Sequence, residues 1–210
     1  MSTNKTDDRL ARQEGETAYE RIQRISAALF AKSGYQAVGV AEIGAATGLG
    51  RGALYHHIRS KEDLLFDIMS HYISRLVNEG RELLARESDT RRRIEALSRQ
   101  LIRAVAENRA EMTVCFRDVH ALTDQRHATI SRLHKEYQQV WEQAVQDAVD
   151  RGDFRPVSTV ALKGILGMYF YSFLWLDPAG EKTPDEIAAT FCNLVIQALA
   201  SAPEPNPPSL

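Results

Sequence analysis

From Gly48 to Lys61 the chain carries Arg51, Arg59 and Lys61, the adjacent histidines His56 and His57, and no acid. Tyr55 adds a phenolic hydroxyl. Cations interleaved with hydrogen-bond donors, and no carboxylate to neutralise them, suit the phosphate oxygens of a nucleic acid. Tyr55 and His57 can donate to phosphates. Lys61 stands where a new helix begins, with Ser60 as its cap and Asp63 three residues on. Helix starts and cations both favour phosphate. The alternative is that Tyr55 and the histidines only pack and cap. Other chemistry is thinly represented: there is no Gly-x-Ser-x-Gly, no P-loop and no dinucleotide fingerprint. Paired catalytic acids cannot be picked out among the carboxylates, so an enzyme is not expected. Six histidines invite a metal hypothesis. Asp124, His127 and His134 could share a helix face with His120 near, yet no tight ligand cluster forms, and surface or pocket hydrogen bonds are the preferred reading. No cofactor and no metal is expected.

These residues need two short helices to position them. Ala41 to Thr47 has Ile43 and Ala46 on one face. Gly48 then breaks the helix, because a residue without Cβ enters a left-handed turn cheaply. Leu49, apolar inside the turn, is expected to plug the gap between the helices. A second short helix follows, with Leu54 and Ile58 one turn apart. That is the outline of a helix-turn-helix, whose second helix lies in a DNA major groove.

The run Leu54-Tyr55-His56-His57-Ile58-Arg59-Ser60-Lys61-Glu62-Asp63-Leu64, preceded by Thr47-Gly48-Leu49 and Ile43, resembles the DNA-binding domain of TetR-type repressors. The resemblance spans about 50 residues, a normal size for a small module. The sequence departs from the pattern at Val38 and Gly39, where the family often has Thr or Ser, at Gly44 and Thr47, where it usually has Ala, and at Gly50, where it has Ser. The resemblance implies that Arg51, Ala53 and His56 fill the variable positions of the recognition helix and meet base edges. Arg51 could then pair with guanine and Ala53 touch a thymine methyl. Gly52 completes the candidate DNA-binding set with Tyr55, His57 and Lys61.

Composition bounds the rest. The 210 residues are 44% hydrophobic and 26% charged, with a net charge of −2. DNA affinity must therefore come from a local patch rather than from the whole molecule. Cys115 and Cys192 lack metal-type spacing and are too few for a secreted disulfide scaffold, so a reducing cytoplasm is the expected location. Met1 to Gly15 lacks the apolar core of a signal peptide. The apolar run Ile165 to Leu176 is too short to span a membrane.

The pattern is helical throughout, without clean alternation or an Asn-Gly hairpin signal. Residues 1–17 read as a flexible arm, in which Arg9 and Arg12 could reach a minor groove. Ala18 to Ser33 is a helix with Ile22, Ile25, Leu29 and Phe30 on one stripe, stopped by Gly34. Lys61 to about Ala85 is a long helix linking head and body. Later helices are expected from Thr90, over Met112 to Leu122, through Tyr137 to Gly152, over Ser158 to Leu176, and from Pro184 after a Thr183 cap. The fold class is all-α, about nine helices: a three-helix DNA-binding domain over 18–63, then a helical ligand-binding and dimerisation bundle over 64–200. Residues 201–210, rich in proline, read as a disordered tail.

Met112, Phe116, Tyr137, Trp141, Met168, Tyr171 and Trp175 are the candidate lining of an apolar ligand pocket, with Cys115 and Phe173 near them. Core packing is the competing reading of each. The segment Tyr169 to Ile187 also resembles repressors of fatty-acid or sterol breakdown that sense acyl-CoA thioesters. Such a ligand needs cations for its phosphates, and Arg99, Arg103 and Arg117 are candidates. In TetR-type proteins the last two helices pair with a second subunit. That implies an interface of Leu162, Leu166, Phe170, Phe191, Val195 and Leu199, which could equally be core within the chain. The expected function is a homodimeric repressor released from a palindromic operator by a small hydrophobic or acyl-CoA effector. The alternative is a helical ligand-binding or scaffold protein without DNA binding.

Overall fold

The computed structural model describes residues 15–200. Arg9, Arg12 and most of the expected arm, and the proline-rich tail from residue 201, lie outside the described residues. Among the described residues nine α-helices follow in order: α1 (Ala18–Ser33), α2 (Val40–Thr47), α3 (Arg51–His57), α4 (Lys61–Arg86), α5 (Thr90–Glu107), α6 (Arg109–Asp118), α7 (Asp124–Asp150), α8 (Thr159–Tyr171) and α9 (Pro184–Leu199). Among the described residues the only extended pairing is a single bridge between Phe154 and Ala200.

Local chemistry sets the ends. Thr17 and Glu20 form a reciprocal capping box on α1, and Thr183 and Glu186 do the same on α9, with Pro184 at the first position. Gly34 closes α1 at φ +91°, and Gly48 closes α2 in the left-handed region at φ +70°. Two helices stop earlier than their apolar patterns do. α6 ends at Asp118 and α8 at Tyr171, each running on as a single 3-10 turn. Apolar periodicity persists through such turns, so the pattern alone does not mark the change.

The chain divides into two compact units. The first runs to Tyr72 and adds Asn108–Ser131; the second is Ile73–Glu107 with the chain from Arg132 on. This is not the division at residue 63 that the sequence suggests. Leu64, Leu65, Ile68 and Met69 are buried, so the first three turns of α4 complete the core of the first unit. α6 packs there too, against α1. Its Arg117 donates to the carbonyls of Phe30 and Ala31, joining the Gly34 amide on the first of these and binding α6 to the end of α1.

The second unit packs α5 against α9 and α8, with Leu97, Leu101, Tyr137, Trp141, Tyr169, Val195 and Leu199 in its core. Gly80 sits where a Cβ would meet Val140 Cγ1 at 2.9 Å. A side chain there would hold α4 and α7 apart. α4 and α7 are each continuous across the boundary between the units.

Candidate nucleic-acid interface

α3 is anchored by one buried residue of its own, Leu54, followed by Ile58 at its C-cap. Every other residue of the helix is exposed: Arg51, Gly52, Ala53, Tyr55, His56 and His57. Tyr55 keeps 43% of its surface, so it is not tucked into the core. Six outward residues on a helix of seven is a surface built to meet something. The Arg51 guanidinium lies 5.9 Å from the Tyr55 ring centroid, one turn away. That contact holds the arginine over the exposed face at little cost. Arg59 reaches only 3.9 Å from Asp63 and is otherwise exposed, leaving its charge largely free.

The turn beneath α3 explains one departure from the TetR pattern. The Leu49 amide donates to the Gly44 carbonyl at 2.9 Å, and a Cβ on Gly44 would stand 2.8 Å from the Leu49 carbonyl oxygen. The backbone of the turn thus occupies the space an alanine would need. Thr47, buried, satisfies its hydroxyl on the Ile43 carbonyl at 2.8 Å. Leu49 itself is half-buried, closing the angle between α2 and α3.

Lys61 is placed otherwise than the sequence leads one to expect. Its ammonium donates to the carbonyls of Tyr35 at 2.9 Å and Val38 at 3.0 Å. It also lies 4.1 Å from the Tyr35 ring centroid. Burial draws its pKa below the ordinary lysine range, while the two carbonyls oppose that by holding the charged form. Lys61 is therefore committed inward, tying the chain after α1 to the foot of α4. A position just after the recognition helix is compatible with either use. Only the fold of residues 35–38 against α4 decides it.

Around that foot the remaining charges are also paired. Ser60 accepts from the Asp63 amide at 2.9 Å and donates to its carboxylate at 2.8 Å. Glu62 accepts from the Thr123 amide at 2.9 Å, and Arg126 bridges both Glu62 and Asp63. The Ser60 hydroxyl first, and then Arg126, hold the Asp63 carboxyl below its usual pKa. Tyr19 on α1 donates to Asp67. Neither Arg126 nor Tyr19 stands out in the sequence. Partners about sixty and fifty residues away leave no local pattern.

The candidate ligand residues do not form one group. Met112 and Phe116 belong to the first unit, Met112 buried and Phe116 exposed. Tyr137 and Trp141 are fully buried in the second, Met168 is half-buried, and Tyr171 and Trp175 are exposed. Aromatic composition located them on helices but not on faces. Of the phosphate candidates, Arg117 is spent on the end of α1. Arg99 and Arg103 line an open cleft of about 400 Å³ in the second unit with Arg75. There Arg103 is clamped by Asp185 at 2.7 and 2.8 Å, and Arg75 by Glu107 at 3.0 Å. His134 packs on Phe170 at 5.8 Å, and burial lowers its pKa to about 4.

The expected interface residues are also differently placed. Leu162, Leu166, Val195 and Leu199 are core of their own unit, and Phe170 and Phe191 are half-buried against Tyr137, Tyr169 and Trp175. α8 is apolar nearly all round, so the spacing of leucines could not tell which stripe faces inward. The outward stripe is Val160, Gly164, Gly167 and Tyr171, continued by Leu174 and Trp175. α9 adds Leu194. A Cβ on Gly164 or Gly167 would meet nothing within 4 Å.

Comparison with known proteins agrees with this geometry. A family model described as "Bacterial regulatory proteins, tetR family" matches residues 24–68. A second, "Tetracyclin repressor-like, C-terminal domain", matches residues 87–199. The HTH-type transcriptional repressor KstR2 of Rhodococcus jostii is 29% identical over 84% of this chain and 88% of its own length. The crystal structure of the regulator PfmR from Thermus thermophilus superposes with a TM-score of 0.78 at 26% identity, covering 84% of this chain and 97% of that one. AibR, solved in complex with isovaleryl coenzyme A and operator DNA, superposes at 0.73 with 29% identity, covering 85% and 97%.

Proposed function

The chain belongs to the tetR family of bacterial regulatory proteins, and from that premise we propose a cytoplasmic homodimeric repressor released from a palindromic operator by a small hydrophobic or acyl-CoA effector. The observation that carries the DNA half is α3 itself: one buried anchor, six exposed residues, and no acid from Gly48 to Lys61. Arg51, Ala53 and His56 are the residues assigned to base edges. Tyr55, His57 and Arg59 are assigned to phosphates, and Gly52 gives the backbone of one exposed turn room to approach the duplex.

A single short helix of this kind binds weakly, and symmetry supplies a second copy. The outward stripe of α8 with Leu194 of α9 supports self-pairing. Its two glycines let a facing helix come close, and Val160, Tyr171 and Trp175 supply apolar area. Two-fold pairing of this sort sets recognition helices about 34–36 Å apart, one turn of duplex. The effector half is supported by the likeness to AibR, whose complex holds isovaleryl coenzyme A. An effector acts by binding one dimer geometry better than another. α4, uninterrupted from Lys61 to Arg86, is the element assigned to carry that difference.

The test is selection of binding sites from random duplex DNA with the wild type and Arg51→Ala. The wild type should enrich an inverted repeat. The variant should lose preference at one position of each half-site, worth about 1–3 kcal/mol there. A uniform loss across all sequences would assign Arg51 to phosphate instead, and no enrichment by the wild type would remove the DNA-binding reading.

A further inference from the structure

Two hydrogen-bond donors in the core of the second unit have no well-formed partner. Tyr137 and Trp141 stand one turn apart on α7 with no exposed surface. Neither Tyr137 Oη nor Trp141 Nε1 makes a hydrogen bond within the described residues. The indole N–H is close enough to the phenol to offset part of the upward push that burial gives its pKa. Even so, the phenolic hydrogen has no acceptor. Elsewhere in the same core Ser98 donates to the Ile94 carbonyl at 2.7 Å and pairs with Tyr169 Oη at 2.6 Å. Buried donors left idle are costly and rare. Phenylalanine at position 137 would fill the same space without the cost.

We propose that Tyr137 Oη–H and Trp141 Nε1–H jointly hold the thioester carbonyl oxygen of the effector. This rests on the acyl-CoA reading above and names the atoms that recognise the acyl end. A carbonyl oxygen carries two lone pairs and can accept from both donors at once. The surroundings are aromatic: the Tyr169 ring lies 5.3 Å from Trp141, and Phe170 lies 6.1 Å from Tyr137. His134, one turn earlier on α7, is kept neutral. The charge felt at Tyr137 is the Glu79 carboxylate, so this setting accepts a neutral oxygen and rejects a second carboxylate, which would have to shed its water uncompensated. The pair therefore selects the thioester over the free acid.

The variant is Tyr137→Phe, which removes one donor and keeps the ring. Titration calorimetry with isovaleryl-CoA, octanoyl-CoA and cholyl-CoA identifies a thioester that the wild type binds, and the matching S-alkyl thioether, such as S-octyl-CoA, lacks the carbonyl oxygen. Tyr137→Phe should bind the thioester about ten- to a hundredfold more weakly and the thioether as the wild type does. Without ligand the variant should unfold at an equal or higher urea concentration, because it no longer buries an idle hydroxyl. Equal thioester affinity in variant and wild type would overturn the inference and leave the effector reading standing. A ligand-free variant that unfolds at lower urea would also overturn it, showing the hydroxyl to be already satisfied. If the wild type binds none of the three thioesters, the effector reading falls and this inference falls with it.

Discussion

Replacing Lys61 by methionine separates two uses of one charge. The structure spends the ammonium on the carbonyls of Tyr35 and Val38, at 2.9 and 3.0 Å, and on the face of the Tyr35 ring. Hydrogen bonds to a charged group contribute about 1.5–3 kcal/mol each, before the discount for a partly exposed group. The ring contact adds about 0.5–1 kcal/mol. Methionine keeps most of the stem and its packing, so the net loss should be about 2 kcal/mol once solvation of the freed carbonyls is allowed for. Urea unfolding followed by circular dichroism reads that loss directly. DNA binding gives the opposing signature. A lysine on phosphate would contribute about 0.9 to the slope of log K against log salt per contact, or about 1.8 for a pair of heads. The inward lysine contributes nothing, so the variant's slope should match the wild type's at temperatures where both are folded. An unchanged urea midpoint with a slope shallower by about two would refute the reasoning.

Acid should loosen the same region. Asp63 has its pKa lowered from an ordinary 3.8 by Ser60 and Arg126, so its contribution is present above that value and is lost as pH falls through the lowered one. Asp63→Asn should therefore lower the stability at pH 7 and flatten its decline below pH 4, measured by urea midpoints across pH; a parallel pH profile would count against the pairing. At the proposed self-pairing face, Gly164→Leu places a branched side chain where a Cβ meets nothing within 4 Å. It should leave the fold and its circular dichroism intact while converting dimer to monomer in light scattering. An unaltered dimer would move the interface elsewhere.

Most of the architecture was legible because it depends on neighbours in sequence. Gly34 and Gly48 had to end helices, Thr183-Pro184 had to begin one, and Leu54 with Ile58 had to face inward. Where the structure places residues otherwise, the cause is shared: periodicity reports a face without saying what covers it. Leu162 and Leu166 formed a sound apolar stripe, yet their own chain buries them and the glycine stripe of α8 faces out. Lys61 had the right position for phosphate, and partners 26 and 23 residues earlier claimed it. The compact units likewise divide elsewhere than at residue 63, since α6 returns from residue 109 to pack on α1.

The redistribution of charge in the first unit bears on how the head can bind at all. With Lys61 turned inward and Arg117 and Arg126 paired, the cations that the described residues leave on α3 and just after it are Arg51 and Arg59, the second weakly held by Asp63. Two cations per head can release only about two counterions, so one head alone has a shallow electrostatic well. Tyr55 and His57 add directional donors, which position more than they attract. Net charge of −2 over the whole chain offers no long-range help. In the proposed dimer, selectivity at Arg51 and affinity through duplication are what such a surface can supply. A regulator built this way is sensitive to the spacing of its two heads, because little non-specific attraction remains to hold either one when the other no longer fits.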